Sequence, residues 1–455
     1  MSLYWHDYET FGIDPARDRP AQFAGIRTDE ELNVIGEPLV IYCKPSFDSL
    51  PQPESCLVTH ITPQTAEREG LIEAEFISKI ERELAYPGTC GVGYNSIRFD
   101  DEFTRNILYR NFFDPYAREW QNGCSRWDII DMMRLVRAFR PEGMEWPLGA
   151  DGKPSFRLEE LTAANGISHE SAHDALSDVR ATIDLARLVR KKQPKLYDYV
   201  YRYREKKRVS GLLSPGMPVI HVSSMYPSEY GSTALVLPIA TVSRNEVVVY
   251  DLRQDPSDLL NLDAAEIRRR LFTPREALDA ERIPLKTIHL NKCPIVATEK
   301  LLTPEIAERL QIDIANCHRH AEMIRKAEGL EEKMEEVFAR QERESLQDPD
   351  LALYGGFFSN SDRAKMEIIR STSPEKLAHL GLQYEDARIP EMLFRYRARN
   401  YPETLSASER MRWKAFCESR LDIEAYMERL AVLRSEWKDP VILDELESWA
   451  RSLKA

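Results

Sequence analysis

The chain has 455 residues, 43% hydrophobic and 30% charged, and its 62 Lys and Arg against 75 Asp and Glu give a net charge of −13. That composition excludes a fibrous or disordered protein, and the length suits about three domains. The start, Met1-Ser2-Leu3-Tyr4-Trp5-His6-Asp7, has no basic segment ahead of an apolar one, so no secretory signal is expected. No apolar run approaches the ~18 residues of a membrane span. Seven cysteines without a CxxC pair point away from a disulfide framework or zinc cluster and toward a reducing cytoplasm. Net acidity excludes a basic coat protein, but where the charge sits decides whether nucleic acid is a partner.

In chain order, residues 3–8, 20–26 and 38–44 read as three strands joined by polar turns. Thr62-Pro63 has the form of a helix start, and Ile72, Phe76, Ile80 and Leu84 recur at helical spacing. Residues 89–94 read as a fourth strand, with helical stretches near 100–111, 126–139, 157–164 and 173–192. Strands first, then strand and helix alternating, predict an α/β unit with a mixed sheet. Beyond Pro194, residues 219–225, 233–241 and 246–252 are β-rich and predict a small barrel or sheet, with helical patterns near 264–271 and 305–343. After a loop at 347–350 the remainder is mostly helical, with amphipathic stretches at 409–434 and 440–453. The expected domains are 1–192, 193–348 and 349–455.

The first segment carries the chemistry. Asp7 and Glu9 flank Tyr8 on the first predicted strand, so both carboxylates project from one face. Two like charges on a buried strand repel each other and lose hydration, which a divalent cation relieves. Alone, such a pair reads as a fraying strand end. Asp100 stands at a helix start, where an acid alone is a cap or dipole partner. His173-Asp174-Ala175-Leu176-Ser177-Asp178 opens the next long helix, and Asp178 lies among its packing residues Leu176, Val179, Ile183 and Ala186. An acid there requires a partner, and a metal serves. His173 alone could be a surface or capping histidine.

Taken together, Asp-x-Glu, then Asn95-x3-Phe99-Asp100, then His173-x4-Asp178 resemble the three motifs of the RNase H-like 3′→5′ exonucleases that carry a histidine in the last motif. His6 to Gly12, Asp18 to Phe23, Gly93-Tyr94-Asn95, Pro154 to Glu159 and Phe394 to Asn400 resemble the bacterial exonuclease I family in particular. The resemblance implies a nuclease domain, a five-stranded SH3-like β domain and a helical C-terminal domain. It further implies processive hydrolysis of single-stranded DNA from the 3′ end to 5′-deoxynucleoside monophosphates, in recombination and repair. Two Mg²⁺ ions, for which Mn²⁺ can substitute, would be held by Asp7, Glu9, Asp178 and Asp100, with Glu9 also touching substrate and His173 the general base. Arg157 would contact a substrate phosphate, and the acidic C-terminal tail of single-strand DNA-binding protein would dock on the surface. A monomer, cytoplasmic and nucleoid-associated when bound to DNA, is expected.

Between positions 187 and 208 ten basic residues face only Asp198 and Glu205, and Tyr197, Tyr199, Tyr201 and Tyr203 interleave them. Cations for phosphates beside rings for bases suit single strands, with Tyr199 and Lys206 as contacts, although a solvated helix end followed by a packing segment has the same composition. Arg105, Arg110, Tyr116, Trp120, Arg126 and Arg134 form a second candidate wall, in which Tyr116 and Trp120 could equally be a core pair. A third basic patch is expected at Arg395-Tyr396-Arg397-Ala398-Arg399. Cys317-His318-Arg319-His320 has no second cysteine nearby and reads as structural. Two other readings stand beside the DNA exonuclease: a 3′→5′ exoribonuclease on the same fold, and a non-catalytic strand-binding scaffold. About 260 residues beyond the nuclease core disfavour the first, and an intact set of five candidate catalytic residues disfavours the second.

Overall fold

The computed structural model describes residues 1–169, 173–339, 348–437 and 440–454. The end of the helix expected at 305–343 and position 347 of the following loop lie outside the described residues. The chain forms two compact units, one from Met1–Ser125, His169–Ile183 and Glu344–Ala455, the other from Arg126–Ser168 and Asp184–Arg343. Among the described residues no cysteine is in a disulfide. Among the described residues no helix is long and apolar enough to cross a membrane.

The first unit is built on strands β1 (Ser2–Thr10), β2 (Pro20–Thr28), β3 (Leu39–Tyr42) and β4 (Thr89–Gly93), in the order β3-β2-β1-β4. The first three pair antiparallel, and β4 runs parallel to β1, so the sheet is mixed as expected. Four helices follow the strands: α1 (Pro53–Thr59), α2 (Pro63–Glu69), α3 (Glu73–Leu84) and α4 (Asp100–Arg110). Thr62 caps α2 by accepting from Thr65 N at 3.3 Å, with Pro63 at the first helical position. The stripe Phe76, Ile77, Ile80 and Leu84 of α3 packs with Tyr4, Tyr8 and Phe23 of the sheet and with Phe103 and Ile107 of α4.

Later chain completes this unit. The predicted helix at 409–434 is two helices, Ala407–Arg420 and Ile423–Glu436, because Asp422 turns the chain and accepts from Ala425 N at 3.0 Å. Leu430 and Leu433, with Leu443, Leu446 and Ala450 of the helix Pro440–Lys454, pack on Phe11, Ala21, Cys56 and Leu57.

The third basic patch is a buried ion-pair network. Arg399 holds Asp48 at 2.8 Å and Asp350 at 2.5 Å, Arg395 meets Asp350 at 2.9 Å, and Arg397 pairs with Glu409 at 2.6 Å. Arg19 reaches Asp48 from the other side at 3.3 Å. Burial pushes the Asp48 carboxyl up, but Arg399 and Arg19 outweigh it and hold the group well below the usual range.

In the second unit, β6 (Val219–Val222), β7 (Thr233–Ser243), β8 (Glu246–Asp251), β9 (Leu285–His289) and β10 (Ile295–Thr298) form an antiparallel sheet in the order β10-β6-β7-β8-β9, β5 (Ser125–Asp128) being the strand on which the chain first enters the unit. Val219, Val236, Val249, Ile288 and Val296 supply its core. Residues 126–128 are therefore extended, not helical, and the helix begins at Ile130.

The helix Pro194–Tyr203 divides the expected aromatic run. Tyr197 and Tyr201 pack on Trp127 with ring centroids 5.4 and 5.3 Å away, and Arg204 is buried over the Tyr201 ring. Half of those rings are thus core, while Lys191, Lys192, Lys195, Arg202, Lys207 and Arg208 remain exposed. Cys317 is buried, His320 donates to Leu252 O at 2.8 Å and His318 pairs with Glu299, so the three do not converge on a metal.

Candidate active site

The site forms where the sheet runs out. Strand β4 pairs with β1 only from Ser2 to Trp5 and ends at Gly93. A Cβ on Gly93 would lie 2.5 Å from Ser96 Cβ, so only glycine permits the turn that follows. The chain passes through Asn95 at φ 60 and re-enters helix at Asp100, the first residue of α4. There the Asp100 carboxylate, 3% exposed, accepts from Tyr8 N at 3.0 Å, where a neighbouring strand would otherwise bond. Asp100 is thereby fixed beside Asp7 and Glu9, which flank Tyr8 on the opposite face.

The helix Ala175–Lys192 brings the last motif. Gln22, opposite Glu9 in the β1–β2 register, accepts from Ala175 N at 3.2 Å and fastens the helix start to the sheet. Asp174 accepts from Ser177 N at 3.2 Å, and His173 enters with φ 66, a left-handed conformation that histidine tolerates better than most residues. As a result, ligand atoms of Glu9, His173 and Asp178 lie within 4.8 Å of one another.

The electrostatics record the crowding. Burial first, then Asp100, Glu9 and Asp178, push the Asp7 carboxyl well above its ordinary range. Glu9 is pushed up to about 9 by burial and by Asp178 and Asp100. Burial raises Asp178 as well, against the opposing pull of His169 and His173. An all-oxygen carboxylate set with one imidazole at its edge is the donor chemistry of a hard divalent cation, and the repulsion within the set fits such an ion.

One residue at the site was not anticipated. His169 Nε2 sits 2.5 Å from Asp178 Oδ1, with its side chain 6% exposed. No periodicity singles it out; the only signal was a second histidine four positions before His173.

In the first unit, Arg105 is buried and committed to Glu119 at 2.7 and 2.8 Å and Glu102 at 2.7 Å, with its guanidinium 5.3 Å from the Tyr116 ring. Arg110 is buried against Glu73. Trp120 is 66% exposed and so is no core partner of Tyr116, whose ring instead meets the exposed Phe357 edge-on. In the second unit, Arg157 is exposed near Glu160, Arg134 pairs with Asp131 under the Phe156 ring, and Arg126 donates to Asn291 O. Tyr199 donates to Val296 O at 2.8 Å and stacks on Tyr203. Lys206 donates to Arg244 O and Asn245 Oδ1.

Fold and cluster together define the exonuclease class, and residues 4–186 match the family model described as Exonuclease. Residues 204–340 match the Exonuclease I SH3-like domain and residues 347–453 the Exonuclease I C-terminal domain. Exodeoxyribonuclease I of Escherichia coli is 48% identical over 96% of this chain and 94% of its own length. The structure of a moderately thermophilic exonuclease I from Methylocaldum szegediense is 52% identical, with a TM-score of 0.95 and full coverage of both chains. That of E. coli exonuclease I with a dA16 oligonucleotide has a TM-score of 0.96 at 45% identity, covering 99% of each chain. The E. coli enzyme is also known in a zinc-bound complex with single-stranded DNA, and a further similar structure is of SSB and exonuclease I with an inhibitor. The chain belongs to the exonuclease I family, and it is an exodeoxyribonuclease.

Proposed function

We propose that this enzyme degrades single-stranded DNA processively from the 3′ end, releasing 5′-deoxynucleoside monophosphates, in recombination and repair. The observation that carries this reading is the convergence of Asp7, Glu9, Asp100, Asp178 and His173 at the end of β1. Asp7, Glu9 and Asp178, with Asp100 in support, would hold two Mg²⁺ ions, and Mn²⁺ would serve in their place. When bound, such ions would supply positive charge for the phosphodiester and for the oxygens that attack and leave. His173, exposed at the edge of the cluster, accepts the proton of the attacking water; imidazole is the side chain that exchanges protons near neutral pH. Trp120, Tyr116 and Phe357 offer rings on which successive bases stack, and Arg157 a charge for a phosphate. All five cluster residues come from one chain, so a monomer suffices.

For the partner protein, a cavity of about 510 Å³ in the second unit is lined by Leu135, Leu196, Tyr199 and Leu301 with Arg140, Lys195 and Lys300. Apolar walls with three cations suit the acidic C-terminal tail of single-strand DNA-binding protein.

The reading is tested with 3′- and 5′-labelled single-stranded DNA, duplex DNA and RNA. Mg²⁺-dependent loss of the 3′ label first, and from single-stranded DNA fastest, is expected; faster turnover of RNA would overturn it in favour of the exoribonuclease.

A pH dependence follows from Glu9. The folded protein holds the Glu9 proton to about 9 and the unfolded chain only to about 4.5, so between those values unfolding releases a proton. The metal-free enzyme therefore loses stability as pH rises through this window. Thermal melts in EDTA should fall in midpoint from pH 5 to pH 8.5, and Mg²⁺ should raise the midpoint more at pH 8.5 than at pH 6, because the ion displaces that proton. A midpoint in EDTA that climbs with pH would contradict the crowded cluster.

A further inference from the structure

We infer that His169 is a positioning residue that holds the Asp178 carboxylate in its ion-binding orientation, an inference that rests on the proposed role of Asp178 as a ligand. The contact is short, 2.5 Å between Nε2 and Oδ1, and it is sheltered, with 6% of the His169 side chain and 17% of the Asp178 side chain exposed. An ionised carboxylate only accepts, so Nε2 carries the hydrogen and donates it.

The geometry separates the roles of the two histidines. His173 is exposed and its ring nitrogen falls within the 4.8 Å group with Glu9 and Asp178, as a proton acceptor for water requires. His169 is buried, and its Nε2 is engaged on Oδ1 of Asp178.

Asp178 needs such a donor for two reasons. A carboxylate turns easily about its terminal torsion, where the preference is broad and two-fold. Asp7 and Glu9 both repel it, and a donor fixed on Oδ1 opposes its swinging away from the cluster. An imidazole N–H on Oδ1, together with the His173 backbone N–H that also reaches this carboxylate, sets the plane in which the group faces the cluster. Partners of this kind change metal affinity by about 10–100-fold when removed.

The experiment measures Mn²⁺ binding to the DNA-free protein by electron paramagnetic resonance, on the wild type and on His169→Ala, His169→Gln, His169→Asn and Asp178→Asn. His169→Ala should weaken Mn²⁺ binding by about 10–100-fold. His169→Gln, whose amide N–H reaches Oδ1, should recover to within a few-fold of wild type, and the shorter His169→Asn should not. Affinity for single-stranded DNA in EDTA should stay within two-fold of wild type in all three, and kcat should fall with KM for DNA unchanged. Wild-type Mn²⁺ affinity in His169→Ala or His169→Asn, alongside loss in Asp178→Asn, would overturn the inference. So would a His169→Gln variant as weak as His169→Asn, a pair that also decides the matter if the alanine variant fails to fold. Undiminished Mn²⁺ affinity in Asp178→Asn would instead refute the ligand assignment on which the inference stands.

Discussion

Asp7→Asn should yield a protein that grips single-stranded DNA within a few-fold of wild type and no longer cuts it. Asp7 feels Asp100, Glu9 and Asp178 together and is the most central of the four carboxylates. The amide keeps the shape but not the charge that offsets a divalent cation, and loss of that electrostatic support removes several kcal/mol of transition-state stabilisation. A fall in turnover of at least about 10³-fold is expected, equivalent to roughly 4 kcal/mol. Single-turnover cleavage set beside fluorescence polarisation of a labelled oligonucleotide measures both quantities. The same change should stabilise the metal-free protein, because a neutral amide is easier to desolvate than a charge among like charges. A pure preparation that cuts within ten-fold of wild type would remove Asp7 from the ligand set.

Arg399→Ala should produce the largest loss of stability outside the site, about 3–5 kcal/mol, because it leaves two buried carboxylates without a shared partner. Asp48 and Asp350 are 0% and 3% exposed in their side chains, and neither can turn to water. Arg19 and Arg395 would each still hold one acid, which sets the lower end of the range. Urea denaturation compared with Arg451→Ala makes the contrast: the exposed Arg451–Glu447 pair lies one helical turn apart and should be worth no more than about 0.5 kcal/mol. Similar urea midpoints for the two variants would refute a structural role for the network.

Residues 395–399 show where reading the sequence reached its limit. Three arginines in five residues look like a surface for phosphate, and only their partners show otherwise. Asp48 lies 351 positions from Arg399, and nothing local joins them. The catalytic set was legible for the opposite reason. Asp7 and Glu9 share a face through the two-residue strand repeat, and Asp100 and Asp178 each sit at a helix start, so each motif was local and its element predictable. His169 escaped because its partner is nine residues away across a segment with no repeat to follow. In the second unit, β9 and β10 went unread: the short segments Leu285–His289 and Ile295–Thr298 are held by pairing to β8 and β6. The stretch expected as one helix at 305–343 breaks at Gln311 and Gly329, both at positive φ. Tyr197 and Tyr201 were half of a proposed binding run because helical spacing alone does not tell a buried ring from an exposed one.

The packing of Leu443, Leu446 and Ala450 on Phe11, Ala21 and Leu57 governs the order in which the molecule is made. Strands β1 and β2 leave the ribosome well before the helix Pro440–Lys454, which covers apolar surface beside them and emerges more than 400 residues later. At about 5–20 residues per second that is an interval of roughly 20 to 80 seconds. Such long-range closure makes folding slow and exposes unfinished surface to chaperones and to aggregation. It also separates the ligands from their support in time: a nascent chain carries Asp7, Glu9 and Asp178 well before the helices that stabilise the sheet presenting them.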